Sequence, residues 1–263
     1  MNIIKRELKA NLKSLIIWSV VISAIVAMAA TEFNAFKDVA NVDEMLKAFP
    51  QGFKDVFSFD VIRFDQPQGY YSYIGQYFMM MAVIFATLLG TKILSKEISK
   101  RTAETTFTLP VTRRYVISMK LIAAIIHCVL LTLVIFGTSY AAFSSFDIDK
   151  YFVGRLSLLM LFILLLQLLF VLAGLFASVL TKSHKRTGTM MASITIGVYM
   201  ISFIANMSDK YEFLKYLSPF EYFPAIDIMH GNELGLYGFI VVPLLIIIFF
   251  LTSFILVEKK DIL

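Results

Sequence analysis

Six long apolar stretches, a charged content of only 16% and a mean hydropathy of +0.78 predict an all-α integral membrane protein. Of its 263 residues, 59% are hydrophobic, whereas soluble domains run at about 45–50% apolar and about 25% charged. Such an excess requires lipid as part of the solvent. Backbone polar groups in lipid need internal partners, so apolar runs there are helices or the strands of a closed barrel. Barrel strands alternate over about 10 residues. The runs here are longer and do not alternate, which selects helices.

Stretches free of Asp, Glu, Lys and Arg lie between Lys13 and Glu32, Asp65 and Lys92, Lys120 and Asp147, Arg155 and Lys182, Arg186 and Asp209, and Glu233 and Glu258. Each holds the roughly 20 residues that cross about 30 Å of hydrocarbon. The expected spans are 15–31, 71–94, 121–143, 155–180, 188–206 and 236–257. No internal repeat and no low-complexity linker interrupts them, so the chain reads as one transmembrane domain, 1–263. The first stretch has a rival reading as a cleaved signal peptide, with a basic start and Ala27-Met28-Ala29 after the apolar run. Its length and the five spans that follow favour a retained span.

Lys and Arg set orientation, being retained on the cytoplasmic side. With the N-terminus inside, the inner segments carry 16 basic and 5 acidic residues and the outer ones 8 basic and 14 acidic. Both termini are then cytoplasmic, and the overall net charge of +5 is a topology signal rather than a nucleic-acid signature. A multi-pass protein of the plasma membrane is expected.

The inner start is expected to form an amphipathic helix. Ile3, Ile4, Leu8 and Leu12 share one arc, and Lys5, Arg6, Lys9 and Lys13 share the other. A helix at the interface, with its cations toward anionic headgroups, fits this pattern. Glu7 and Asn11 fall in the apolar arc and spoil it; a plain basic flank of the first span is the simpler alternative. The long outer segment 32–70 repeats the motif, with Met45, Leu46, Phe49 and Phe53 opposite Asp43, Glu44 and Lys47, ending near Pro50 and Gly52.

Ionisable residues within spans are the usual functional sites of pumps and ion-coupled carriers. None of the span centres carries Asp, Glu, Lys or Arg. His127 is the one imidazole well inside a span, and it reads as a packed histidine bonded to a carbonyl of a neighbouring helix rather than a proton relay. Gln76, Gln167 and Asn206 read as interhelical hydrogen-bonding groups, and Ala86 with Gly90 and Gly174 with Ser178 as small pairs that allow close helix approach. Cys128 is the single cysteine, and neither cysteines nor histidines show metal-ligand spacing. No P-loop, nucleophile elbow or HExxH motif is present. No catalytic, cofactor or metal residue is expected, and energy for active transport would come from a partner.

The inner loop from Lys92 to Lys120 is the segment richest in signal. Phe107 and Leu109 stand among charges, where exposed apolar groups tend to mark an interface. Thr108 to Pro110 breaks the helical pattern, and Thr112 is placed to cap the helix of the third span. A short helix, a break and a further helix at the membrane surface is the expected arrangement.

These residues resemble a known family. Glu97, Thr102-Ala103-Glu104, Leu109-Pro110-Val111-Thr112-Arg113 and Lys120 together are similar to the signature loop of ABC-2-type transporter permeases. That pattern runs Glu, Gly-Thr, Glu, Leu-Leu, Pro-Val-Ser/Thr-Arg, and a Lys opening the next span. Leu217-Ser218-Pro219-Phe220-Glu221-Tyr222-Phe223 resembles the segment before the last span in bacterial members, and Glu258-Lys259-Lys260-Asp261-Ile262 resembles their tail. One departure is Arg101, where the family often has Gly. The resemblance implies a permease that binds no cofactor itself, pairs as a homo- or heterodimer, and docks two ABC ATPase subunits carrying ATP and Mg. The ATPase-coupling loop would comprise Glu97, Thr102, Glu104, Phe107, Leu109, Pro110, Arg113 and Arg114. The membrane-interface helix would comprise Ile4, Lys5, Leu8, Lys9, Leu12 and Lys13. Members export lipids, polysaccharides, peptides, ions or drugs. An ion-coupled carrier or a non-transporting scaffold is the alternative reading, disfavoured by the charge-free spans and by the loop respectively.

Overall fold

The computed structural model describes residues 2–36, 50, 54, 62–99, 112–181, 184–207 and 209–259. Among them the elements are helices α1 (Asn2–Phe36), α2 (Pro67–Ser99), α3 (Arg113–Phe143), α4 (Phe152–Leu180) and α5 (His184–Ala205). Two 3-10 helices (Asp209–Tyr216 and Pro219–Tyr222), the short α6 (Ala225–His230) and the long α7 (Leu236–Lys259) follow. Six helices, α1 to α5 and α7, are long and apolar enough to cross a membrane. No strand occurs among the described residues. The amphipathic residues Met45, Leu46, Phe49 and Phe53 lie outside the described set, as do Thr102, Glu104, Phe107, Leu109 and Pro110 of the inner loop.

One correction concerns the N-terminus. Residues 2–13 do not form a separate element but are the first turns of α1, which continues unbroken to Phe36. At about 1.5 Å per residue its 35 residues span about 52 Å, well beyond the ~30 Å hydrocarbon thickness. No Gly or Pro interrupts the sequence there, so nothing ends the helix where the span begins.

The bundle is organised around α2 and α4. Both are apolar all round, the composition of a helix enclosed by others, and about two-thirds of each span window is buried against protein. Their backbones nearly touch. A Cβ on Gly90 would lie 2.1 Å from the carbonyl oxygen of Val171, and one on Gly174 would lie 2.7 Å from that of Thr87. Glycine at both positions is what permits the approach, as expected for the Ala86/Gly90 and Gly174/Ser178 pairs. Polar links reinforce the centre. Thr132 of α3 donates to Gln167 Oε1 of α4 (2.9 Å), and Gln167 Nε2 donates to the carbonyl of Ala82 on α2 (3.3 Å). The hydroxyls of Thr87 on α2 and Thr195 on α5 meet at 3.2 Å. Gln167 therefore ties three helices, as its sequence position suggested. His127 differs: its ring nitrogen pairs with the carbonyl of Ala123 one turn earlier in its own helix (2.8 Å), not with a neighbouring helix.

Aromatic rings close the face opposite the termini. Phe33, Tyr71, Phe143 and Phe152, from α1 to α4, pack with centroids 5.2–6.3 Å apart. The Tyr71 hydroxyl donates to Ser139 (2.8 Å), fixing α2 on α3.

The stretch between α5 and α7 is not a surface loop. Ser218 donates to the carbonyl of Val198 in α5 (3.0 Å), the Phe223 ring stacks on Phe162 (4.2 Å), and Phe220 packs on Phe170 (5.7 Å). Phe170 is ten residues, about 15 Å, from the terminal-face end of α4. The segment thus dips from the opposite face to mid-depth and returns. Its return ends at Gly231, whose φ of +76° belongs to the left-handed region that Gly adopts freely. There the Arg155 guanidinium donates to the Met229 carbonyl (3.1 Å) and lies 3.6 Å from Asp149.

The close crossing makes a measurable demand. Gly90→Ala should cost about 1–3 kcal/mol, the range for overpacking, and lower the thermal midpoint of the purified chain in detergent. Gly137→Ala has nothing within 4 Å of the new Cβ and should be neutral or stabilising by up to ~1 kcal/mol. The reverse order of midpoints would contradict the backbone contact.

Candidate functional site: the terminal-face junction

The predicted coupling loop enters α3, and the start of α3 is where the structure gathers charge. Thr112 has extended backbone and its hydroxyl accepts from the Tyr115 amide (3.3 Å), so it caps α3. Arg113 and Arg114 fill the first turn, which contains no acidic residue. Cations at a helix N-terminus oppose the macrodipole, by about 0.3–1 kcal/mol each at the surface. Arg114 is compensated across the bundle: its guanidinium donates to Glu258 Oε2 (2.6 Å) and also pairs with Oε1. Glu258 is itself an acid at the C-terminal end of α7, again against the dipole. Each side chain offsets the other's misplacement, though both are exposed and such pairs stabilise by only about 0–1 kcal/mol.

Two turns further along α3 lies Lys120, which is 4% exposed. Its ammonium donates to the Ile93 carbonyl of α2 (3.0 Å) and stands 3.7 Å from Glu7 of α1. Glu7 and Asn11 were the two residues that spoiled the apolar arc of the N-terminal helix. Both turn out to lie on the half-buried side of α1, with Asn11 donating to the Glu7 carbonyl (3.1 Å). Lys5, Arg6, Lys9 and Lys13 are exposed, while Ile4 and Leu8 are half-buried. Leu12, placed on the apolar arc by its spacing, is 48% exposed. The arc that faces protein is therefore rotated from the arc read off apolar residues alone.

The structure thus brings Arg114 and Lys120 together with α1, α2 and α7, through Glu7, Ile93 and Glu258. Glu97 falls in the last turns of α2, but its side chain is outside the described residues. Sequence reasoning missed Glu7 and Glu258 as partners. The available signal was the pairing of odd residues: an acid in an apolar arc, a lysine at the mouth of a span and an acid at a helix C-terminus. No group of three or more His, Cys, Asp or Glu that could hold a metal occurs among the described residues. The contacts of Arg114 and Lys120 join the first turns of α3 to three other helices, α1, α2 and α7.

Removing one partner of a buried ion pair costs about 3–5 kcal/mol; Arg6, 3.5 Å from Glu7 but with a side chain more than half exposed, would compensate only in part. Lys120→Met should therefore destabilise strongly, whereas Lys120→Met combined with Glu7→Leu should recover much of the loss. Thermal midpoints of the two variants in detergent test this. Equal midpoints for the single variant and the unsubstituted chain would show that Lys120 and Glu7 do not meet.

No curated protein matches the sequence. The family described as ABC-2 family transporter protein matches it over residues 1–262, essentially from end to end. The six apolar helices and this match agree, and the chain belongs to the ABC-2 transporter family.

Proposed function

We propose that the chain is the membrane permease of an ATP-driven exporter in the bacterial plasma membrane, with the terminal face in the cytoplasm. ABC-2 membership implies a partner subunit that binds ATP. In this reading two copies of that ATPase, holding ATP and Mg, dock beneath a homo- or heterodimer of permeases. The observation that carries the proposal is the Arg114–Glu258 and Lys120–Glu7–Ile93 junction. A push on the loop before Thr112 reaches α1, α2, α3 and α7 at once. The cytoplasmic placement rests on the excess of Lys and Arg on the terminal face. The exposed apolar residues of α1 and α7, such as Ile16, Val20, Leu244 and Leu251, suit lipid or a second permease. An ion-coupled carrier has less support, because the span centres carry no ionised side chain.

Topology is tested with single cysteines in a Cys128→Ser background. Cysteines replacing Asp43 and Asp209 should react with an impermeant maleimide in intact cells. Those replacing Lys100 and Lys185 should react only after permeabilisation, and the reverse pattern would overturn the orientation.

Coupling is tested at Phe107 and Leu109. Burying both side chains against an ATPase is worth about 3–6 kcal/mol as an upper range. Replacing both with Ser should release the ATPase during detergent co-purification while leaving membrane insertion intact. Undiminished recovery would place the docking surface elsewhere, with residues 1–13 and 181–187 next to test. The permease purified alone should hydrolyse no ATP beyond a mock preparation.

A further inference from the structure

Behind the inserted segment lies a cavity of about 360 Å³, between α2, α5, the two 3-10 helices and the start of α7. That volume is in the range of small-molecule sites. Its walls are aromatic and acidic. Tyr216 and Tyr222 each pack edge-on against Tyr237 at 5.0 and 5.2 Å, and the Tyr222 hydroxyl is spent on the Tyr216 carbonyl (2.6 Å). Tyr199 is edge-on to Phe220 (5.2 Å), which leaves its own ring fixed.

Two polar groups of this cavity have no charged partner of their own. Tyr199 is 3% exposed and lines the cavity, yet its hydroxyl has no hydrogen-bond partner. Glu221 is carried here by the second 3-10 helix, and its carboxylate accepts from neutral groups, Asn206 Nδ2 at 3.0 Å and the Ser202 hydroxyl. The charged groups around Glu221 are Lys215 from the first 3-10 helix and Asp227 from α6, with Glu233 on the same cavity wall. Lys215 is shared with Glu212, 3.7 Å away. The described residues of α2 and α5 lining the cavity bring no charge. Three acids therefore face one shared cation. No group of three or more His, Cys, Asp or Glu that could hold a metal occurs among the described residues, while the aromatic walls suit an organic cation.

We propose that this cavity binds an organic ammonium, a protonated amine seated against Glu221 and the Tyr199 hydroxyl, with its carbon body among the tyrosine rings. An ammonium has several N–H donors and no acceptor, which suits a carboxylate and a free phenolic oxygen. Aromatic faces add cation–π attraction. The binding needs only this chain, so it stands or falls apart from ATPase docking. The ammonium can belong to a free amine or to an aminophospholipid headgroup, which share this chemistry.

The test uses the full chain in dodecyl maltoside and radiolabelled phenethylamine, with 2-phenylethanol as a neutral competitor of similar size. Phenethylamine should bind saturably, and 2-phenylethanol should compete at least about tenfold more weakly, the loss expected when a charge-assisted bond is removed. Glu221→Gln, which keeps an acceptor for Asn206, should weaken binding by about tenfold or more. Tyr199→Phe deletes a hydroxyl that nothing in the fold uses, so it should leave the thermal midpoint unchanged or raised while weakening binding about threefold or more. Burial pushes the Glu221 carboxyl above its ordinary range. Acidification should therefore weaken binding before free carboxylates titrate, and Glu221→Gln should remove that dependence. Added phosphatidylethanolamine that displaces the probe identifies the headgroup as the source, and failure to displace it identifies a free amine. Equal competition by 2-phenylethanol, no saturable binding, or unchanged affinity in both variants would overturn the proposal. If Glu221→Gln cannot be recovered folded, Tyr199→Phe alone decides.

Discussion

The approach of two backbones, α2 and α4, at Gly90 and Gly174 governs the rest of the molecule. Once Val171 and Thr87 carbonyls sit where a Cβ would otherwise lie, the two helices form a fixed pair with little freedom to slide. Lipid supplies no hydrophobic drive between helices, so association depends on close packing and interhelical hydrogen bonds. The pair uses both, through glycines at the crossing and Gln167 reaching Ala82 and Thr132. The remaining helices are arranged on this pair: α3 through Gln167 and Ser139, α5 through Thr195, and the inserted segment through Phe162 and Phe170. By contrast α7 keeps a long apolar face uncovered by its own chain, as suits a peripheral helix in lipid or at a subunit boundary.

In the proposed function, α3 is the element best placed to carry a signal along that pair. Its 31 residues extend about 46 Å, and it is bonded near both ends. On the terminal face Arg114 and Lys120 hold α7, α1 and α2. On the opposite face Ser139 and Phe143 meet Tyr71 and the ring cluster with Phe33 and Phe152. A helix without Pro or Gly near its first turns transmits displacement as a unit, since bending it would break successive i to i−4 bonds. The two helix-end charges opposed to their dipoles, Arg114 and Glu258, stabilise the helices poorly where they stand. Their pairing makes sense as a specified contact between α3 and α7 rather than as a means of strengthening either helix.

How much could be read from the sequence depended on whether a feature was periodic. The six crossing helices were legible because lipid solvation demands about 20 consecutive apolar residues, and the runs supply them. Thr112 was legible because capping chemistry is local. Gln167 was legible because a buried amide within a span has few uses other than bonding to a neighbouring helix. Glu7 was misread as noise, since its meaning depends on Lys120, which lies 113 positions along the chain. The extent of α1 was misread because a change from basic to apolar residues marks the membrane boundary but does not end a helix. The fold of residues 209–231 was illegible: 3-10 turns and a six-residue helix carry no sustained period, and hydropathy gives a mixed value that suits a surface loop. Its clues were compositional, an aromatic density from Tyr211 to Phe223 broken by Pro219 and ended by Pro224.

That inserted segment also bears on how a bundle with uncharged span centres comes to enclose a carboxylate. Placing Glu221 on a spanning helix would cost insertion of that helix, about +2.5 to +3.5 kcal/mol on translocon scales for an acid at the centre. Carried on a short 3-10 helix, the same side chain enters with the folded protein around it, and Asn206 and Lys215 are already in place. Non-helical backbone at membrane depth survives only where protein or a cavity satisfies it. Here the Ser218 hydroxyl spends itself on Val198, and the Tyr222 hydroxyl on Tyr216. The packing helices stay apolar and rigid, and polar recognition is delegated to a segment that crosses no membrane. The unbonded Tyr199 hydroxyl sits where those two parts of the chain meet.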